Sequence, residues 1–177
     1  MKKTPSKNLV IDASVAKASG GDEATCSTAI KTRDFLLAVR RICHKVVMTP
    51  AIQAEWNRHQ SGFARAWRSS MVARGKLTAR NVEERQDIRQ QVESENITQK
   101  QKNAMLKDCH LIEAAISTDR RIISLDDAAR KLFVGLSHNV TDIQEVLWVN
   151  PVSDAEQVIA WLEGAPNEAG WKLAHNG

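Results

Sequence analysis

The sequence predicts an α/β protein in which helices cover both faces of a central parallel sheet, that is, a three-layer α/β/α fold. Short continuous apolar runs, typical of strands buried on both faces, alternate with segments of helical periodicity. Strands and helices that alternate in this way favour a parallel sheet. The chain has 177 residues, of which 42% are hydrophobic, and this length is enough for one domain with a sizeable core.

Four apolar runs are the predicted strands: LVID at 9–12, KVVMT at 45–49, RIISL at 121–125 and EVLWV at 145–149. None of them is long enough to cross a bilayer. The apolar run after the basic start of the chain ends at Asp12, too early for the core of a signal peptide. We therefore expect a cytoplasmic protein with no membrane segment.

Helical patterns separate the predicted strands. Cys26, Ile30 and Leu37, flanked by Ala29, Leu36 and Val39, recur at helical spacings after the first strand and predict a buried helical face. Thr49 is suited to cap the helix after the second strand, and Pro50 is suited to its first position. A further buried stripe precedes the third strand, formed by Met105, Cys109, Ile112 and Ile116. The third strand is followed by a helix with acidic residues in its first turn, where the helix dipole favours them.

The three cysteines lack the spacing of a zinc or redox motif, and each lies in an apolar, helix-like stretch. We interpret Cys26, Cys43 and Cys109 as reduced core residues. Such use of cysteine is typical of proteins in a reducing compartment.

Residues 61–104 do not follow the alternation and are predicted to form a helical arm that projects from the domain, frayed at 81–96. Residues 58–107 hold eleven Lys and Arg against five Asp and Glu, within a chain of net charge +4. Clustered cations favour a polyanionic partner such as RNA or DNA, because binding releases counterions from the phosphates. A solvated helical surface is the alternative interpretation. The candidate RNA-binding residues are Arg65, Arg68 and Arg74, and Trp67 between the first two is a candidate for base stacking.

The domain is expected to span residues 1–150, including the arm at about 61–104. Residues 151–177 are expected to add one short helix, capped by Ser153 or Asp154, and a loosely held tail.

Acidic residues accumulate where the predicted strands end. Asp12 closes the first strand, and Asp126 and Asp127 directly follow the third. Glu55 lies in the first turns of the helix after the second strand, and Asp108 lies at the edge of the buried stripe before the third. Ligands of parallel sheets bind at the carboxyl ends of the strands, so we expect these side chains to meet there.

Carboxylates that meet in this way repel one another unless a cation neutralises them. Oxygen ligands without His or Cys at zinc-ligand spacing favour Mg²⁺ or Mn²⁺. Each acid also has an ordinary structural explanation, since Asp12 could be a turn residue, Glu55 a first-turn charge and Asp126 or Ser124 a helix cap. His110 is set aside as a catalytic partner of Asp108, because two residues along a helix turn by about 200°.

The segments VIDAS, TPAIQAEW, KDCHLIEAAI and ISLDD, in this order, resemble the motifs of the PIN-domain nucleases. This family of metal-dependent ribonucleases includes the toxins of bacterial and archaeal toxin-antitoxin pairs. The resemblance spans about residues 8–150, with a stretch between Glu55 and Asp108 that is longer than in compact family members. It implies a PIN-like fold, an RNA substrate and four catalytic, metal-binding acids: Asp12, Glu55, Asp108 and Asp126.

The resemblance also implies roles beside these acids. Ser14 and Ser124 occupy small polar positions of the family's motifs. Apart from the resemblance, Asp127 could contact a second ion because it is predicted near the site, or it could be a first-turn charge of the following helix. An antitoxin protein and a second copy of the chain are the protein partners to consider.

We therefore expect an Mg²⁺- or Mn²⁺-dependent endoribonuclease that hydrolyses phosphodiester bonds. One alternative is a PIN-like domain that binds RNA or a protein without cutting. A second is an aspartyl-phosphate phosphotransferase with Asp12 as nucleophile, although Ser14 stands where enzymes of the haloacid-dehalogenase kind place a second Asp.

Overall fold

The computed structural model describes residues 4–21, 23, 25–166 and 168–174. Its strands are β1 (Asn8–Ile11), β2 (Lys45–Met48), β3 (Leu77–Ala79), β4 (Arg121–Ile123) and β5 (Leu147–Val149). All neighbouring strands are parallel, and the order across the sheet is β3-β2-β1-β4-β5. The predicted α/β class with a parallel central sheet is confirmed.

Helices lie on both faces of this sheet. The first group comprises α1 (Ala13–Ala18), α2 (Ser27–Ile42), α3 (Pro50–His59), α4 (Gly62–Ala73) and α8 (Ala155–Leu162). The second group comprises α5 (Gln86–Ser94), α6 (Gln99–Ile116) and α7 (Asp127–Ser137). Within the first group α1 packs on α2 and α3, and α2 packs on α4 and α8; within the second, α6 packs on α5 and α7. Connections between parallel strands are almost always right-handed, and with this strand order that rule places the two groups on opposite faces, which gives three layers. No helix of the described residues is long and apolar enough to cross a membrane.

The predicted strands β1, β2, β4 and β5 form because their apolar residues are covered from both sides. Leu9, Val10 and Ile11 of β1 are fully buried, as are Ile122 and Ile123 of β4. Continuous apolar runs are stable only where both faces of the strand are removed from water. These runs are therefore the centre of the hydrophobic core.

Strand β3 was not predicted, and it lies within the segment that was expected to form a projecting arm. It pairs with β2 through Val46 opposite Leu77 and Met48 opposite Ala79, at the edge of the sheet. The segment is mostly helical, as expected, but it does not project from the body. Several of its apolar side chains are buried in the core, among them Trp67, Met71, Ile88 and Val92.

Helix α2 buries the flanking residues of the predicted pattern, Ala29, Leu36 and Val39, but not its three central residues. Ile30 and Leu37 are 45% and 37% exposed, and Cys26 lies before the first helical residue and is exposed. Cys43 is half-buried, so among the three cysteines only Cys109 is a core residue. The buried face of α2 is formed instead by Ala29, Thr32, Phe35, Leu36, Ala38 and Val39.

Helix caps fix the two helices that carry Glu55 and Asp108. As predicted, Thr49 caps α3, with its side-chain oxygen accepting a hydrogen bond from the Ile52 backbone at 3.2 Å. Helix α6 begins with a capping box, in which Thr98 accepts from the Gln101 backbone and the Gln101 side chain accepts from the Thr98 backbone. These caps define where each helix begins and therefore which side chains reach the sheet edge.

The C-terminal segment is packed rather than loosely held over the residues that are described. Asp154 precedes α8, as expected, without a side-chain cap. Trp171 is 5% exposed and Leu173 is fully buried, and the Leu173 backbone donates to the Val146 carbonyl at 2.9 Å. Residues 1–3, 167 and 175–177, which include the end of the predicted tail, lie outside the described residues.

Candidate active site

The order of the strands creates a crevice at one point of the sheet. The chain moves from β1 to β2 and β3 on one side, and from β4 to β5 on the other. Ligands of open parallel sheets bind where the strand order reverses in this way, at the carboxyl ends of the two strands. Here these strands are β1 and β4, which are followed directly by Asp12 and Ser124.

A cavity of about 260 Å³ lies at this crevice. Its lining includes the four acids that come from four separate segments of the chain: Asp12, Glu55, Asp108 and Asp126. Ser14 lines it too, together with three basic residues: Lys17, His59 and Lys107. We call this space the acid cavity. Helices α3 and α6, which come from opposite faces of the sheet, contact each other beside it.

Asp12 is held by two serine side chains. Its Oδ2 atom accepts hydrogen bonds from the hydroxyls of Ser14 at 2.5 Å and Ser124 at 2.9 Å. The same hydroxyl oxygens accept from the backbone N–H groups of Leu125 and Asp126, respectively. Asp12 precedes α1 but does not cap it, and its backbone N–H continues the ladder to β4 through the Ile123 carbonyl. The two serines therefore join the ends of β1 and β4 and orient the Asp12 carboxylate.

The position of Glu55 depends on the tryptophan that follows it. The Trp56 indole N–H donates to the Ile11 carbonyl at 2.8 Å, and its ring stacks on Trp67 with centroids 6.1 Å apart. This bond ties α3 to the end of β1, beside Asp12. The Glu55 carboxylate is 22% exposed and pairs with Arg58 at 3.3 Å and with His59 at 3.5 Å.

Asp108 lies in the interior of α6, next to the buried stripe of Met105, Cys109 and Ile112. Among the described residues, no hydrogen-bond donor reaches its carboxylate. Burial raises the pKa of Asp108 to about 6, and the negative charges of Asp12, Asp126 and Glu55 act in the same direction, partly offset by Lys107. This carboxyl group therefore holds a proton more readily than an ordinary aspartate, unless a cation enters the cavity.

Asp126 caps α7, which was the structural explanation considered for it. Its carboxylate accepts a hydrogen bond from the Ala129 backbone N–H at 2.8 Å. It lines the acid cavity at the same time. The neighbouring Asp127 has a different partner, because the Asn150 side chain donates to its carboxylate at 3.1 Å. Asp127 is absent from the cavity lining, so the structure does not bring it together with the four acids.

The candidate RNA-binding residues are separated. Arg65 is exposed near the start of α4, and Arg68 donates to the Asn57 side chain at 2.7 Å. Arg74 lies after α4 and shortly before β3, which places it towards the amino ends of the strands, beside Arg40 and Arg41. Trp67 is 2% exposed and donates to the Leu36 carbonyl, so the base-stacking interpretation is wrong. Trp56, Trp67 and Trp148 are all buried packing residues.

The sequence analysis did not identify the basic residues of the acid cavity, although each lies close in the sequence to one of the four acids. Lys17 follows Asp12 by five residues, and Lys107 directly precedes Asp108. His59 follows Glu55 by one helical turn. The other histidine that was considered, His110, faces a different cavity with Thr49 and Glu113, in agreement with its expected direction away from Asp108.

The donor chemistry of the cavity fits a hard divalent cation. Four carboxylates supply oxygen atoms only. Burial is the main cause of the raised pKa of Asp108, and the negative charges of the other three acids, which a cation would offset, add to it. Within the described residues, however, no group of three or more His, Cys, Asp and Glu side chains is gathered closely enough to hold a metal ion. The acids share a cavity without forming a closed ligand cage.

No protein-family model, no curated protein and no solved structure matches the chain. The resemblance to PIN-domain nucleases therefore rests on the four short motifs of the sequence, which supply three residues of the serine–aspartate network and all four acids of the cavity.

Proposed function

We propose that the protein is a metal-dependent endoribonuclease of PIN type that hydrolyses RNA phosphodiester bonds. The observation that carries this proposal is the convergence of four carboxylates, from four separate segments, on one cavity at the switch point of a parallel sheet. Unpaired carboxylates repel one another, and a site with no use for a cation gains nothing from collecting them. The resemblance of the motifs supports the same function.

In this proposal Asp12, Glu55, Asp108 and Asp126 hold Mg²⁺ or Mn²⁺, which supplies Lewis-acid chemistry for phosphodiester hydrolysis when bound. The residues of the chain then have separate tasks. Ser14 and Ser124 keep the Asp12 carboxylate in one orientation, since each donates to its Oδ2 atom. Burial raises the pKa of Asp108 to about 6 in the absence of metal, so its carboxyl group must lose its proton before it can bind the ion.

The direct test is cleavage of a fluorescent RNA with Mg²⁺ or Mn²⁺, with EDTA, and with the variant Asp12→Asn. We expect cleavage with either metal and none in EDTA, and Asp12→Asn should fold normally and be inactive. Asp34→Asn is the matched control, because Asp34 is exposed on α2 and borders a different cavity. Full activity in EDTA, or an active Asp12→Asn protein, would exclude the metal mechanism.

The non-cleaving alternative has its own signature in this experiment. A protein that binds RNA but does not cut would retain the same RNA affinity in wild type and Asp12→Asn, with no product at any metal concentration. That result would exclude catalysis at the acid cavity and would leave the protein with an RNA-binding role that does not depend on Asp12.

A toxin role, with an antitoxin as protein partner, is the part of the proposal that rests on the resemblance alone. Induced expression of the wild type in a bacterial host should arrest growth, and Asp12→Asn should not. Equal growth of the two strains at equal protein levels would contradict the toxin role and leave the nuclease proposal unchanged.

A further inference from the structure

Two lysines border the acid cavity from opposite sides. Lys17 lies on α1 and Lys107 on α6, and these helices belong to the two different layers that cover the sheet. Both side chains are exposed, whereas Asp12, Glu55 and Asp108 are half-buried. The lysines therefore form a rim above carboxylates that lie deeper in the cavity.

The ammonium groups of these two lysines differ from the other cations of the cavity. Within the described part of the chain, neither group makes a hydrogen bond or an ion pair, although both line a cavity with four carboxylates. The other basic residues beside the acids are paired, since Arg58 and His59 both contact Glu55. Lys17 and Lys107 are thus the basic residues of this lining whose charge is not committed to a carboxylate of the described residues.

Neutralising the acids is the simpler role for these lysines, and Lys107 contributes to it. Its charge lowers the pKa of Asp108, but burial and the charge of Asp12 have larger effects in the opposite direction. A lysine whose task was to balance Asp108 would gain most by an ion pair, and the two side chains do not form one. An exposed ammonium group that is free beside a cavity is instead available to an anionic ligand.

We propose that Lys17 and Lys107 bind the phosphates on either side of the scissile bond, so that the RNA backbone crosses the acid cavity from α1 to α6. This inference rests on the proposed nuclease function and adds residues that hold the substrate. An ammonium group is a compact charge with three donors, suited to a phosphate oxygen. The repulsion between the RNA backbone and the carboxylates makes such contacts necessary where the strand crosses the cavity.

The test measures RNA binding without cleavage. A short fluorescent single-stranded RNA is titrated in EDTA at several KCl concentrations, with wild type, Lys17→Gln, Lys107→Gln and the double variant. For single strands, the slope of log affinity against log salt becomes shallower by about 0.7 for each phosphate that the protein no longer neutralises. We expect a change of that size in each single variant and about twice as much in the double variant.

Lys45→Gln is the matched control, because it removes the same charge. Lys45 is exposed at the first residue of β2, at the amino ends of the strands, whereas the acid cavity lies at their carboxyl ends. Its salt slope should equal that of the wild type. A parallel measurement of KM for cleavage with Mn²⁺ should show a rise in KM for the two cavity variants that exceeds any fall in kcat.

The outcomes separate this inference from the proposed function. If the wild type cleaves RNA but the double variant keeps the wild-type salt slope and KM, the lysines do not hold the substrate and the nuclease function stands. If Lys45→Gln changes the slope as much as Lys17→Gln does, the effect is one of net charge and the inference is wrong. If the wild type neither binds nor cleaves RNA, the proposed function fails and the inference fails with it.

Discussion

Helix α6 carries two carboxylates with opposite surroundings. Glu113 is 4% exposed, and the Arg89 guanidinium donates to its two oxygens at 2.9 and 3.0 Å, while the Arg85 backbone adds a bond at 2.8 Å. Asp108, about one and a half turns earlier, is less buried but has no donor among the described residues, and other carboxylates surround it. The more buried acid is fully paired, whereas the less buried one is not.

This contrast separates an acid with a structural role, Glu113, from an acid that the proposed function would use, Asp108. A buried charge is tolerated when hydrogen bonds replace its hydration, and Glu113 meets that condition. Its bonds to Arg85 and Arg89 attach α5 and the residue before it to α6. The pKa of Arg89 is raised chiefly by its hydrogen bond to Glu113. Asp108 does not meet the condition, and so its position is explained better by a ligand than by the fold.

The largest expected effect is the loss of stability on substitution of Glu113. Glu113→Gln removes the charge that faces a mostly buried Arg89, and breaking a buried pair costs about 3–5 kcal/mol. The free energy of unfolding, measured with a chemical denaturant, should fall by that amount. Glu84→Gln is the control, because Glu84 contacts the same arginine from the surface at 3.6 Å and should change stability by less than about 1 kcal/mol. Equal effects of the two substitutions would contradict a structural role specific to Glu113.

The substitution Asp108→Asn tests whether Asp108 is needed for RNA cleavage, as the proposed function requires. Changes beside metal ligands cost about 10–100-fold in activity, so the loss of a ligand should reduce RNA cleavage by more than about 100-fold. The protein should remain folded, since the substitution removes no hydrogen bond of the described residues. Cleavage rate and thermal unfolding are measured on the same preparation. An Asp108→Asn protein that unfolds like Glu113→Gln would show that the two acids do not differ in the way proposed.

The pH dependence of stability is a further test of the difference between Asp108 and Glu113, with a smaller expected effect. The pKa of Asp108 is raised from its ordinary value of 3.8 to about 6, so the folded state binds more protons than the unfolded state between these values. Stability should therefore fall as pH rises through this window, by about 1–3 kcal/mol for the metal-free protein.

The contribution of Asp108 is obtained as the difference between wild type and Asp108→Asn, measured in EDTA from pH 4 to pH 7. This subtraction removes the contribution of the buried His44, whose pKa is lowered by burial and whose stabilising effect is lost as pH falls below its ordinary value of 6.5. A difference that stays constant with pH would show that the pKa of Asp108 is not raised by folding.

The smallest expected effect concerns the start of α6, which positions both acids. Thr98→Ala removes one half of the capping box and should lower stability by about 1 kcal/mol. The double variant with Gln101→Ala should lose little more than the larger of the two single losses, because the two halves act together. Cleavage should be unchanged at temperatures where the variant is folded. Additive losses would show that the two side chains act independently.

The sequence was sufficient for elements that depend on local physics. Continuous apolar runs located β1, β2, β4 and β5, because a strand buried on both faces cannot alternate with polar residues. Thr49 and Pro50 located the start of α3, since capping is an interaction between residues three positions apart. The four acids could be chosen for the same reason: each closely follows a strand or lies on the edge of an apolar helical stripe.

Features that depend on neighbours distant in the chain could not be predicted. Strand β3 has only three residues, none of them buried, and it is a strand because β2 offers it a partner. Apolar residues occur on several faces of α2, so periodicity alone does not single out the buried face. The packing of α4 and α8 against α2 determines that Phe35 and Leu36 are buried while Ile30 is exposed. In the same way Arg74 belongs to the basic segment but lies away from the acid cavity, because α4 ends shortly before β3 begins.

For the site, the sequence alone determined which carboxylates are available, since it places each one near the end of a strand or at the edge of a helical stripe. Only the tertiary structure decided that β1 and β4 are neighbours, that the chain turns in opposite directions after them, and that Lys17 and Lys107 stand at the same cavity from two different layers. The physical reason is that capping and periodicity are interactions within one or two turns, whereas strand order is set by the burial of whole helical faces against the sheet.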